Sequence, residues 1–415
     1  GSSLAADSVS AVYLTFTLTC LISPAIINKY GCRVSMFFGV LGYASFIGSG
    51  MIYFMYGGED VIWARRLVVA GGAVLGCGAS TLWTAQGRLI LQYASMAEDL
   101  GMPAADGVKR KLTTQTGKLM GLFWAIFQCS SLVGGSISFI YYNRKPEGST
   151  ALYSLFLAFI IMGALFTQLL LPPAMLQKSS NTNPDVLIKQ KDLEMTTERS
   201  PLNADSCAEY ARGESQIQDS GIKMCEDLSH QSWWQEVQET LKMCSTKRIL
   251  CLSPLFFYTG FNQPYQQATF GNRFFTRRTI GAELIIFHLF EIVSAIVCGR
   301  FLDRESNATS ETNRRKRAIV CLGAFVIINC TGNILAAMQE YDAKQNTPMA
   351  HDIADLSVIS PSLAFACWGF ADAQIQVYCY WLMGGFYSSG SDHSRAVGWY
   401  KCVQSLGTCI GFYLI

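Results

Sequence analysis

The sequence predicts an all-α membrane protein built from two related halves, and three observations predict it. Half of the 415 residues are apolar or aromatic and only 15% are charged, an oily balance for a soluble chain of this size. Apolar runs of about 20 residues, the length that crosses a bilayer as a helix, recur through most of the chain. Two short charged turns occupy equivalent places in the two halves, Ile27-Asn28-Lys29-Tyr30-Gly31-Cys32-Arg33 and Gly299-Arg300-Phe301-Leu302-Asp303-Arg304, and each joins two such runs. The second is followed by Arg314-Arg315-Lys316-Arg317. Internal duplication of this kind characterises secondary-transporter folds.

A hydropathy window of about 19 residues gives ten expected spans. The first five run Val9 to Ile27, Ser35 to Tyr56, Leu67 to Ile90, Leu119 to Tyr141 and Ala151 to Leu171. The other five run Ile249 to Thr269, Ile280 to Phe301, Ala318 to Met338, Leu356 to Phe386 and Ala396 to Ile415. The third carries Gly72, Gly76 and Ser80 on one helical face, small residues that let a second helix approach closely, as a static seam or a sliding one. The chain has no initiator Met and its last span stops at Ile415 without a polar flank, so a fragment is expected; if the first basic turn lies between a second and a third helix, helix one is missing ahead of Gly1 and helix twelve behind Ile415.

Between Gln177 and Thr246 the apolar periodicity gives way to Ser, Asn, Asp, Glu and Lys, the composition of a solvated linker. The expected organisation is therefore an N-terminal bundle over 1–176, a cytoplasmic linker over 177–246 and a C-terminal bundle over 247–415. Near the linker's end, Trp233, Trp234, Val237, Leu241 and Cys244 recur at helical spacing among Gln235, Glu236, Gln238 and Lys242. This reads as an interfacial helix on the cytoplasmic leaflet, with a partner-binding helix as the alternative.

Lysine and arginine counts in the short loops set the orientation. One side collects Lys29, Arg33, Arg88, Lys109, Arg110, Lys111, Lys118, Arg300, Arg304, Arg314, Arg315, Lys316, Arg317, Arg395 and Lys401. The opposite side has Arg65, Arg66, Arg144, Lys145, Arg273, Arg277, Arg278 and Lys344, beside the acidic Glu340, Asp342, Asp352 and Asp355. The richer side is expected in the cytosol, which leaves the sequon Asn307-Ala308-Thr309 unglycosylated.

Local motifs then carry a family resemblance. They are Ser23-Pro24-Ala25 before Lys29-Tyr30-Gly31, Leu41-Gly42-Tyr43, and Leu82-Trp83-Thr84-Ala85-Gln86-Gly87 in the helix that begins near Gly71. In the second half they are Phe256-Phe257-Tyr258-Thr259-Gly260-Phe261, Gly369-Phe370-Ala371-Asp372 and Gly398-Trp399-Tyr400-Lys401. Together with the two turns, this pattern resembles the uncoordinated-93-like (Unc-93-like) family of the major facilitator superfamily. The resemblance implies the major facilitator fold, two six-helix bundles with a cavity between them. It also implies a role for the turn residues Lys29, Gly31, Arg33, Gly299, Asp303 and Arg304 in gating. Many transporters of the superfamily have Asp where this chain has Asn28, which changes the charge interactions expected of the first turn. The family's members are linked to regulating or escorting channels and receptors as well as to transport, so both functions are implied.

Polar residues at membrane depth mark the candidate sites, because a charge there costs at least about 2.5 kcal/mol. Glu291 lies mid-span with His288 one turn earlier, which makes them a proton- or cation-coupling pair or a paired group that holds helices together. Trp368, Asp372 and Gln376 share a stripe; Asp372 joins the coupling candidates, lining a cavity or capping a helix broken at Gly369. Pseudo-symmetry sets Trp83 and Gln86 opposite that stripe, as a ligand lining or as ordinary interhelical hydrogen bonding.

The fifteen scattered cysteines, Cys77, Cys129, Cys298, Cys330 and Cys367 among them, read as small buried hydrophobes. No metal site, cofactor or enzymatic chemistry is expected, since no metal-ligand cluster, phosphate-binding loop or activated nucleophile stands out. A net charge of +2 gives no argument for nucleic acid. The expected partners are the lipid bilayer, a small solute or ion, and in the regulatory reading another membrane protein.

Overall fold

The computed structural model describes residues 2–56, 61–100, 115–144, 150–171, 232–304, 311–345 and 350–414. Within them helices joined by short turns make up nearly all of the chain, and the rest of its regular structure is one isolated bridge between Phe275 and His351. Lys109, Arg110, Lys111, Lys145, the sequon at Asn307 and linker residues 177–231 lie outside the described residues, as do the side chains of Arg144, Arg277 and Arg278.

The helices of the first half are α1 (Ser2–Cys20), α2 (Ser23–Tyr30), α3 (Cys32–Met55), α4 (Ile62–Leu100), α5 (Thr116–Arg144) and α6 (Thr150–Thr167). Next come α7 (Trp233–Cys244), α8 (Lys247–Gln263), α9 (Arg277–Leu302), α10 (Glu311–Gln345), α11 (Ile359–Phe386) and α12 (Gly390–Leu414). Among the described residues seven helices are long and apolar enough to cross a membrane, or eight if the bent pair α1–α2 counts as one span. The other two expected spans do form helices, and they pack on each other as α8 and α12. Both are more polar: α12 carries His393, Arg395 and Lys401, and α8 ends in Asn262 and Gln263.

The first expected span is broken by 61° between α1 and α2. Pro24, in the first turn of α2, has no N–H for the Cys20 carbonyl one turn back, and beside it Ser23 donates its hydroxyl to the Thr19 carbonyl at 2.9 Å. Gly31, at φ +80°, makes the corner into α3, a conformation that glycine adopts without strain. A second irregularity follows α8, where Pro264–Phe270 forms a π turn, a feature frequent at functional sites.

Packing repeats between the halves. Helix α4 packs on α1 and α3 as α11 packs on α9 and α10. Across the middle, α1 and α4 meet α12, and in the equivalent exchange α9 and α11 meet α5. The seam of Gly72, Gly76 and Ser80 lies against α1 and α2: a Cβ on Gly76 would strike Val12 and Thr15, and Ser23 donates to the Ser80 hydroxyl at 3.0 Å. Helix α11 runs unbroken through Gly369, which corrects the capping alternative for Asp372. A Cβ at 369 would overlap the Phe287 carbonyl of α9, so the glycine serves close approach.

Large apolar side chains ring the outside, among them Leu18, Phe38, Ile126, Leu165, Val297 and Ile327, a surface suited to lipid. Cys77, Cys129 and Cys330 lie on this exposed side and Cys367 is half-buried, so the reading of the cysteines as buried holds for Cys298 but not for these. Two members of the expected loop charge also lie elsewhere. Arg88 is inside α4, and Lys401 is only 4% exposed in the middle of α12.

Candidate functional site

Glu291 of α9 and Asp372 of α11 are both buried, and their carboxyl groups lie close enough to interact. Two such groups can hydrogen-bond when one of them holds a proton, since ionised carboxylates only accept. His288 Nδ1 lies 2.7 Å from Glu291 Oε2, as the one-turn spacing anticipates. On its other side, Asp372 accepts from Gln376 Nε2 at 2.8 Å and from Gln263 Nε2 at 3.5 Å. Gln263 is the last residue of α8 before the π turn, so that irregularity borders the acid.

The chain of contacts continues from Gln376. Its Oε1 accepts from the Tyr400 hydroxyl at 3.3 Å and from Gln404 Nε2 at 3.4 Å, and Gln404 Oε1 accepts from Lys401 Nζ at 2.7 Å. One polar path thus runs His288, Glu291, Asp372, Gln376, Gln404, Lys401, through α9, α11 and α12.

At its end the Lys401 ammonium sits among aromatic faces. It lies 4.8 Å from the centroid of Trp83, 4.8 Å from Tyr400, 5.8 Å from Tyr380 and 5.9 Å from Trp124. These are cation–π distances, and they help hold a charge that water cannot reach. The rings come from α4 and α5 in one half and from α11 and α12 in the other. Trp83 and Trp124 are stacked with centroids 6.1 Å apart, and Trp83 Nε1 donates to Tyr43 at 3.0 Å.

The expected lining residues do not all converge. Trp83 and the Asp372–Gln376 pair join through Lys401 and its amides. Trp368 faces a separate aromatic cluster with Tyr265, Phe270 and Phe365, and donates to Asn333 at 3.0 Å. Gln86 is buried beside Trp83 on α4 with neither amide atom hydrogen-bonded. Lys401, Trp124, Tyr380 and Gln404 are the site residues that sequence reasoning missed.

The basic turns form a second constellation at one end of the bundle. Asn28 Oδ1 accepts from Arg88 Nη1 at 2.6 Å and from the Ser394 hydroxyl at 2.8 Å, near the start of α12. Its Nδ2 donates to Glu236 Oε1 at 2.6 Å. In the other half, Asp303 accepts from the Lys118 backbone N–H at 2.6 Å in the first turn of α5 and from Trp381 Nε1 at 3.0 Å. Each turn thereby meets a helix N-terminus of the opposite half, where acceptors are favoured.

Lys29 lies 5.1 Å above the Trp233 ring of α7, and Arg33 donates to the Gln168 carbonyl. The Arg304 carbonyl accepts from Arg317 at 2.7 Å. Gly299 abuts Gly117 where α9 crosses α5. Helix α7 packs on α2, α8 and α12 and buries Glu236, Thr240 and Cys244, while Trp234 and Leu241 remain exposed.

A family model described as "Ion channel regulatory protein UNC-93" matches residues 6–415. The chain belongs to the UNC-93 family. It is a multi-pass membrane protein, and neither family nor fold is an enzymatic class. It is 22% identical over 410 residues to UNC93-like protein 1 of Arabidopsis thaliana, covering 97% of this chain and 74% of that protein. It is 24% identical over 420 residues to UNC93-like protein MFSD11 of Xenopus laevis, covering 98% and 80%.

Solved structures show the same fold at lower identity. The proton:xylose symporter XylE, bound to 6-bromo-6-deoxy-D-glucose, aligns with a TM-score of 0.55 and 13% identity over 100% of this chain and 78% of that one. The human organic anion transporter MFSD10 aligns with a TM-score of 0.52 and 13% identity over 99% and 76%. The fold of this UNC-93 chain is the major facilitator fold.

Proposed function

We propose that this protein is a secondary transporter whose solute binds between the halves, 1–176 and 247–415, and whose coupling ion is a proton or other cation at the Glu291–Asp372 pair. The observation that carries the reading is the buried path from His288 to Lys401. Such groups are costly in a membrane interior and are retained there chiefly along substrate and ion routes. A shared proton on two carboxyl groups can be lost or exchanged when the path opens to water, which couples protonation to helix separation.

Reconstitution tests it. In proteoliposomes, uptake from a panel of labelled sugars, amines and carboxylates is expected to rise under an acid-outside gradient. Glu291→Gln with Asp372→Asn is expected to abolish that response. Uptake equally gradient-dependent in the doubly neutralised variant rejects the mechanism.

The family description favours a second reading, a regulatory or escort subunit of a channel or receptor. Purification in mild detergent separates the two: a stoichiometric membrane partner together with absent solute flux supports the subunit.

A further inference from the structure

We propose that the aromatic chamber around Lys401 binds an organic monocarboxylate, and that one proton enters the Glu291–Asp372 pair with it. The inference deepens the transporter reading by naming the substrate class, and it rests on that reading for the proton's role.

Three observations carry it. Among the described residues no carboxylate lies within ion-pair distance of Lys401; the hydrogen-bond path from Asp372 to it passes through Gln376 and Gln404. One of the ammonium's three donors has an acceptor, and the rings face the rest of the group. Two of the chamber's rings, moreover, carry buried polar atoms without a partner, Trp124 Nε1 and Tyr380 Oη, and Gln86 adds an unpartnered amide next to Trp83. An indole N–H, a phenol O–H, an amide N–H and an ammonium are all donors, and buried donors left unpaired are unfavourable. A carboxylate, which only accepts, is the chemical complement of such donors. An aromatic or aliphatic body attached to it suits the surrounding rings.

Charge counting brings in the proton. With one proton shared by the pair and His288 neutral, Glu291 and Asp372 carry one negative charge between them, which balances the positive charge of Lys401. An incoming carboxylate adds one negative charge to a buried region, and a second proton on the carboxyl pair restores neutrality. A dianion would leave one charge uncompensated. The titratable groups facing Lys401 are Cys20 of α1, Asp372, Cys379 and Tyr380 of α11, and Tyr400 of α12. Those facing the carboxyl pair are His288 on α9, Tyr258 on α8, and Tyr400 and Lys401 on α12.

The experiment is titration calorimetry on the full chain in lipid nanodiscs with benzoate, benzamide and benzylamine, each in buffers of differing ionisation enthalpy. Benzoate is expected to bind saturably with uptake of one proton, and more tightly than benzamide or benzylamine. Lys401→Gln removes one partner of a buried charge pair and should weaken benzoate binding by about thirtyfold or more. Trp124→Phe keeps the ring and deletes the N–H, and should weaken it about fivefold. Thermal unfolding of both variants checks that they fold; Trp124→Phe carries the test if Lys401→Gln does not.

Benzylamine binding in preference to benzoate, no benzoate binding, or benzoate affinity unchanged in the folded variants overturns the site. Benzoate binding without a proton overturns the coupling. Benzoate binding without benzoate flux in proteoliposomes removes the transporter reading and leaves the site. Proton-driven flux of another solute with no benzoate binding does the reverse.

Discussion

Glu236 and Arg395 meet at two points, Nε to Oε1 and Nη2 to Oε2, both at 2.8 Å, and this contact fastens α7 to α12. Both side chains are almost buried, at 6% and 11% exposure. Asp392 lends Arg395 a further contact at 3.1 Å. A two-point guanidinium–carboxylate pair is both strong and specific in geometry. Glu236→Gln is expected to destabilise the protein by about 1–3 kcal/mol, because it leaves a largely buried guanidinium with only the more exposed Asp392 as its ionic partner. Lowered melting temperature in detergent is the measurement, and it should change little with salt, since burial limits screening.

The same carboxylate explains why the first turn has Asn28. Asn28 donates one amide N–H to Glu236 Oε1 while its oxygen accepts from Arg88 and Ser394. Asn28→Asp would set two carboxylates side by side and delete that donor. A loss of about 1–3 kcal/mol is expected, and adding Glu236→Gln should recover part of it, so a double-mutant cycle on thermal stability will show non-additivity.

The crossing of α9 and α11 is set by Gly369 against the Phe287 carbonyl. Gly369→Ala forces the helices apart and is expected to cost about 1–3 kcal/mol. The separation also lengthens the Glu291–Asp372 contact, so gradient-driven uptake in proteoliposomes should fall in the variant even at temperatures where it remains folded.

Membrane orientation has a direct check. Lys29 and Arg315 are expected in the cytosol from the loop charge count. Cysteine substitutions at these two positions, in a background where the exposed Cys77, Cys129, Cys251 and Cys330 and the linker's Cys207 and Cys225 are replaced by serine, should react with an impermeant maleimide only after the cells are opened.

Most of the helices were legible in the sequence, since a 20-residue apolar run leaves the backbone few other options in lipid. The one-turn pairing of His288 with Glu291 was legible as well, being a property of a single helix. What spacing within one helix does not reveal is which residues meet across helices, and the site is assembled that way. Lys401 is the instructive case. Starting the last span at Ala396 set the lysine near a membrane surface, where any basic residue counts toward the loops. The helix starts at Gly390, which moves Lys401 a full turn and a half deeper. Glu236 was hidden for a related reason: on an isolated amphipathic helix it belongs to the polar face, and only the docking of α7 on α12 turns that face inward. Trp368 followed the stripe but turned to Asn333 of α10, whose position no periodicity encodes.

The stacked indoles of Trp83 and Trp124 share one neighbouring ammonium and come from two different helices. Their emission is therefore a built-in optical gauge. A change in the spacing of α4 and α5, or in the charge beside them, alters the quenching of both rings together, so intrinsic fluorescence can follow this chamber in an unlabelled protein.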